Sequence, residues 1–199
     1  LLSGLCLAAC STPNFGRQFA VVRSTEAMLY QIQESGDWLE IDFDSTEGGD
    51  TLDHFQFIIQ VEADDIELVE NRKPAGFITA AYAKPGPPEL QSTLLYIAVE
   101  ADEDIITNDE EYEAGDDLGE LFRFSDSVQN GASAFGGWFS LIDFLRTEIN
   151  ASSITGNSLA LQMNPAETLQ QGYDGTFTIT LEFADGSEVS TTTERVLIK

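Results

Sequence analysis

The chain has 199 residues, with 35 Asp or Glu against 9 Lys or Arg and a single His, for a formal net charge of −26. Hydrophobic residues make up 42% of it, enough for a packed core in one domain or two small ones, which excludes a wholly disordered acidic chain. The charge excludes a surface built to grip nucleic acid or anionic lipid, because phosphate contacts need clustered Lys and Arg.

The chain opens on Leu1-Leu2-Ser3-Gly4-Leu5-Cys6-Leu7-Ala8-Ala9-Cys10, an apolar run ending in small residues. It is too short to span a bilayer and matches the end of a secretory signal. The charged segment and initiator Met expected ahead of it are missing, as when a sequence begins inside its leader. Leu7-Ala8-Ala9-Cys10 looks like a bacterial lipobox, in which small residues fit the peptidase and Cys10 is lipidated. Cys6 fits less well, since Leu5 stands where a small residue is needed. Several acyl chains on one Cys give stable membrane anchoring, whereas one alone is marginal. The expected layout is a signal peptide over 1–9, a lipidated Cys and tether over 10–18, and a folded domain over 19–199. Both cysteines of the chain lie in the first ten residues, so the domain is expected to hold neither a disulfide nor a thiolate metal site.

Beyond the tether the dominant period is two. Leu39, Ile41 and Phe43 alternate with Glu40, Asp42 and Asp44, and Phe55, Phe57, Ile59 and Val61 alternate with Gln56 and Gln60. Both read as half-buried strands. Residues 66–69 and 77–82 read as further short strands. Lys84-Pro85-Gly86-Pro87-Pro88 cannot enter a central strand, so 84–88 is the expected internal boundary. Residues 94–99 are apolar on both faces, as in a central strand. Trp138, Leu141, Ile142, Leu145 and Ile149 share one face of a helix of about three turns. The strand period returns with Leu159, Leu161 and Met163, and then with Phe177, Ile179, Leu181 and Phe183. Asp185-Gly186 is a hairpin signal, with Val189, Thr191 and Thr193 on the return strand and residues 196–198 closing the chain. The expected fold is mainly β: an antiparallel immunoglobulin-like sandwich with one short helix in a connection.

From Phe77 onward, Ala81-Tyr82-Ala83, then Pro85-Gly86-Pro87-Pro88, the apolar run at 94–99, and Ala114-Gly115-Asp116-Asp117-Leu118 leading to Leu121-Phe122 follow one another. A short helix and a closing hairpin with a Thr-rich last strand complete the order. This arrangement resembles a family of uncharacterised surface lipoproteins of Bacteroidota. The resemblance implies a lipoprotein of the outer membrane or cell surface and supplies no catalytic residue. The chain departs from the family at Lys84, where a Cys often stands, so any thiol-dependent feature is absent here.

Residues 100–120 hold 11 Asp or Glu among 21 positions and no Lys or Arg. Asp102, Asp104, Asp109, Glu110, Asp116 and Asp117 are candidate oxygen ligands for Ca²⁺, which takes six to eight. The favoured reading is a solvated acidic loop, since charge runs usually face water. A second acidic segment, residues 42–53, has Asp42 and Asp44 at the first and third positions of an EF-hand loop. But Glu47 stands where the turn needs Gly, and Asp53 replaces the terminal Glu. His54 is alone, so a His-based metal triad is impossible, and it is expected at a strand edge. No nucleophile elbow or phosphate-binding Gly loop is present, and no carboxylate pair for glycoside hydrolysis can be singled out. Trp38 and Trp138 sit on apolar periodicity and are expected in the core, although clustered exposed aromatics would make a sugar platform. The functional expectation is a non-catalytic cell-surface lipoprotein, no enzyme, with membrane attachment through Cys10, a protein partner in the outer membrane and no nucleic-acid partner. It would act as accessory subunit or binding module of an outer-membrane assembly. The alternative is a calcium-stabilised adhesin or glycan-binding module.

Overall fold

A computed structural model of the chain describes residues 18–34, 38–41, 53, 56–70, 89–108, 110–126, 137–146 and 159–199. The described structure is mainly β, with antiparallel sheets and one short helix. Its longest strand, β1 (Gln18–Ile32), pairs antiparallel with β3 (Phe57–Glu70) along nearly its whole length. The sequence gives β1 little signal, because register shifts between Val22 and Thr25 interrupt its alternation. Residues 66–69, expected as a separate strand, are the end of β3. The acidic centre of β3 is tolerated because it lies beside polar positions of β1: the Arg23 Nε donates to Glu67 at 2.9 Å and the Ser24 hydroxyl donates to Asp64 at 3.2 Å.

Strand β2 (Trp38–Glu40) adds to β1 at Tyr30, Gln31 and Ile32, and β4 (Glu89–Leu90) adds to its other end as the parallel exception. On the far side of β3 lie β9 (Leu159–Met163) and β8 (Phe122–Asp126), completing a six-stranded sheet in the order β2-β1-β3-β9-β8 with β4 beside β1. All five residues of β9 are buried, as expected of a strand flanked on both edges and covered on both faces.

A second sheet holds β5 (Leu94–Ala101), β11 (Phe177–Phe183) and β12 (Glu188–Thr192) in the order β12-β11-β5. The alternation read for β11 is observed: Phe177, Ile179, Leu181 and Phe183 are buried and the residues between them are half-buried. The turn after it forms at Asp185-Gly186. Gly186 takes a φ of 82°, which glycine adopts without a Cβ clash, and Asp185 accepts from the Ser187 N–H and hydroxyl. Strand β5 is not the doubly covered strand expected: it borders the sheet, and Leu95 is 57% exposed. The cause is a bulge. Tyr96 lies opposite Glu182 and Leu94 opposite Phe183, so Leu95 has no counterpart on β11.

Side chains from both sheets meet in one core. The Phe57 and Phe177 rings stack at 5.6 Å, and Phe122 meets Phe177 edge-on at 5.7 Å. Two small ladders flank this core: β6 (Ile105–Ile106) with β7 (Glu111–Tyr112), and β10 (Tyr173–Gly175) with β13 (Val196–Ile198). The helix α1 (Leu141–Arg146) stands where the apolar spacing places it, and residues 147–150 lie outside the described ones. Its start is set by Ser140 rather than by the preceding glycines. The Ser140 Oγ accepts from the Asp143 N–H at 3.2 Å, as an N-cap does, and donates to the Asp143 carboxylate at 2.9 Å. The buried face also differs from the expected one: Phe144 is fully buried against Phe124, while Ile142 is 60% exposed.

Candidate binding surface

The acidic stretch was the strongest chemical candidate in the sequence, and the structure gives its carboxylates separate local partners. Asp102 Oδ1 accepts from the Thr176 N–H at 2.7 Å and from the Tyr173 hydroxyl at 2.9 Å, and Oδ2 accepts from the Thr176 hydroxyl at 3.0 Å. Burial works to raise the Asp102 pKa, but these hydrogen bonds outweigh it and hold the carboxyl below its ordinary value. The buried Tyr173 phenol is pushed well up by desolvation and by the adjacent carboxylate. Asp104 accepts from the Ala114 N–H and Asp116 from the Glu113 N–H, each at 2.9 Å. Both bonds tie the acidic loop to itself.

Asp117 does more. Its Oδ1 accepts from the Val99 N–H at 3.2 Å and from the Gly119 N–H at 3.0 Å, and its Oδ2 accepts from the Tyr96 hydroxyl. That hydrogen bond, followed by burial, pushes the Tyr96 pKa up to about 12. The Leu118 N–H donates to the Val99 carbonyl at 2.7 Å, and the Gly115 N–H to the Ala101 carbonyl at 2.9 Å. The loop therefore closes the free edge of β5, with one carboxylate standing in for a strand carbonyl. Glu110 accepts from the Tyr112 hydroxyl at 2.8 Å. Asp109, residues 42–52 and His54 lie outside the described residues, as do Cys10 and the tether up to residue 17. Among the described residues, no three His, Cys, Asp or Glu side chains gather as a group that could hold a metal.

A different surface emerges on the six-stranded sheet, on the face turned away from the main core. Both tryptophans, expected in that core, pack instead against a second small cluster of Ile58 and Ala160, together with Tyr30 and Ile32. Strand register explains the gathering. Tyr30 lies opposite Ile58, Ile58 opposite Gln162, and Gln162 opposite Arg123, a row across β1, β3, β9 and β8. At strand spacing this row spans about 14 Å. Trp38 reaches it from β2, where its ring sits 6.1 Å from that of Tyr30. Trp138 reaches it from the opposite side, with the Arg123 guanidinium 4.9 Å from its ring centroid.

The polar groups on this face have an uneven balance. The Arg123 Nε donates to Gln162 Oε1 at 2.9 Å, and its Nη2 donates to the same oxygen. Among the described residues no carboxylate pairs with Arg123, whereas Arg23 and Arg195 both have one. Burial lowers the Arg123 pKa, but an arginine starting above 12 remains charged. Among the described residues the Tyr30 hydroxyl meets only the Met28 sulfur, a weak acceptor, at 3.6 Å. Among the described residues neither indole N–H on this face has an acceptor. Burial and then Glu40, with Glu62 and Glu26 behind it, raise the Tyr30 pKa, so one end of the row is negative and the Arg123 end is positive. Sequence reading missed this surface because its members come from six separate segments. The signal was there only as an Arg and two Trp at outward positions of strands or beside them.

Comparison with protein-family models, with curated proteins and with solved structures finds no match.

Proposed function

We propose that the protein is a non-catalytic binding module of the cell surface, held by lipidated Cys10 and accessory to an outer-membrane assembly. In this reading the two packed sheets are an immunoglobulin-like sandwich, and the chain is a relative of the Bacteroidota surface lipoproteins it resembles. The observation that carries the binding role is the outward face of the six-stranded sheet. There Trp38, Trp138 and Tyr30 surround Ile58, next to an arginine that has no carboxylate partner among the described residues. Half-buried rings with convergent polar groups are what recognition surfaces use for contact area and orientation. The carboxylates at 102, 104, 116 and 117 support a structural role, since each accepts hydrogen bonds within the fold.

The test is gentle detergent extraction of the lipidated full chain, followed by mass spectrometry of co-purified proteins and compositional analysis of co-purified glycan. A double variant, Trp138→Ala with Arg123→Gln, is expected to lose what the wild type captures. Equal capture by both would overturn the assignment of this face. Intact mass is expected to show a mature chain that starts at an acylated Cys10, and Cys10→Ala should abolish the acyl mass.

A further inference from the structure

We infer that the ligand of this face is a glycan bearing carboxylate groups, stacked on the tryptophans with one carboxylate at Arg123; this rests on the binding reading above. The inference comes from what the face offers and what it lacks. At its Arg123 end it offers donors, the guanidinium and the Trp138 indole N–H, with Gln162 as the guanidinium's acceptor among the described residues, while the carboxylates lie toward the Tyr30 end. The complement of that end is therefore rich in acceptors. The rings supply flat apolar area, and a pyranose presents the matching shape: C–H groups on one face and oxygens around its rim. A peptide would bring equal numbers of backbone donors and acceptors, which the donors clustered at the Arg123 end do not match.

Arg123 narrows the class to an acid. A half-buried cation with no counter-ion among the described residues has lost hydration that none of their charges replaces. In a chain of net charge −26, carboxylates are abundant, yet among the described residues the guanidinium is held on a neutral amide oxygen. A ligand carboxylate supplies the missing charge with paired hydrogen bonds. The orientation follows from the charges along the row: Glu40 at the Tyr30 end repels an acid, and Arg123 at the other end receives it. Repulsion from the rest of the chain is long-range and is screened within about 8 Å at physiological ionic strength, whereas the Arg123 contact is direct.

The protein has a built-in reporter, because its only two tryptophans both lie on this face. Titrating the full chain with oligogalacturonate is expected to shift tryptophan emission saturably, and the uncharged malto-oligosaccharide should bind at least about tenfold more weakly (about 1.4 kcal/mol). Arg123→Gln is expected to remove that preference while leaving the circular dichroism spectrum unchanged, and Arg123→Lys to restore part of it. Trp138→Phe, which keeps a ring, should retain binding better than Trp138→Ala. Equal affinity for both sugars, no emission change with either, or an uronate preference that survives in Arg123→Gln would each overturn the inference. If the detergent experiment shows a protein lost with this face while neither sugar binds, the glycan inference fails and the binding reading stands.

Discussion

A methyl group at position 175 would collide with its surroundings. A Cβ built there would lie 2.1 Å from Asp102 Oδ1 and 2.6 Å from the Tyr173 hydroxyl oxygen, so this glycine is fixed by close approach. The Asp102 carboxylate cannot swing away freely, because it holds the Thr176 N–H, the Thr176 hydroxyl and the Tyr173 hydroxyl together. Gly175→Ala is expected to cost about 1–3 kcal/mol, measured by urea unfolding. Adding Asp102→Ala to it should cost clearly less than the sum of the two single changes, since part of the clash is already relieved; strict additivity would show that the two residues do not touch. Asp102→Asn tests the charge. The folded-state pKa of Asp102 is depressed below 3.8. Its contribution is therefore present above the unfolded value of about 3.9 and is lost as pH falls through the folded value. Since the side chain is largely exposed, solvent screening keeps the gap to wild type to about 1 kcal/mol at neutral pH. The gap should close as the pH falls below about 4. A gap that persists undiminished in acid would mean that shape, and not charge, is what the carboxylate contributes.

At the scale of elements, β11 is the strand on which the two sheets depend. Phe177 meets Phe57 from β3, Phe122 from β8 and Tyr173 from β10. Phe177→Ala is expected to cost about 3–5 kcal/mol, out of about 5–15 for a whole domain. Thr180→Val, on the other face of the same strand, should stay within about 0.5 kcal/mol. Similar melting of the two variants would mean that β11 is packed in the opposite register. This strand was legible in the sequence because its alternation is unbroken and its turn carries Asp185-Gly186. Strand β1 was not, because a bulge near Ser24 shifts its pattern partway along, and only the pairing with β3 keeps it continuous. Strand β10 is three residues long and is defined by its partner at the C-terminus, a distant segment. The helix was legible in position, but its facing was not: the apolar positions fit two overlapping stripes, and the contact between Phe144 and Phe124 selects one. The binding surface was hidden for the same reason. Which face of a strand turns toward the second sheet is a tertiary fact, and Trp38 and Trp138 fell on the face that does not.

For the molecule as a whole, the excess of 35 acids over 9 bases sets how stability responds to ions. Self-repulsion between exposed carboxylates destabilises the folded state, and added salt screens it, with a Debye length of about 10 Å at 0.1 M and 3 Å at 1 M. Melting temperature is therefore expected to rise smoothly with NaCl. Calcium poses a sharper question at residues 102–117. A cage for it needs six to eight oxygens turned toward one point, but Asp102 is directed to Thr176, Asp104 to Ala114, Asp116 to Glu113 and Asp117 to Val99 and Gly119. Drawing them together would break the hydrogen bonds that close the edge of β5. Millimolar CaCl₂ should accordingly stabilise no more than NaCl of equal ionic strength. A ligand bound only by the folded state behaves differently, adding about 2.7 kcal/mol at a hundredfold excess over its Kd and reaching this in a concentration-dependent way that ionic strength does not reproduce. A saturable rise in melting temperature with Ca²⁺, unmatched by Mg²⁺ and abolished by Asp104→Asn, would show that the loop rearranges into a cation site.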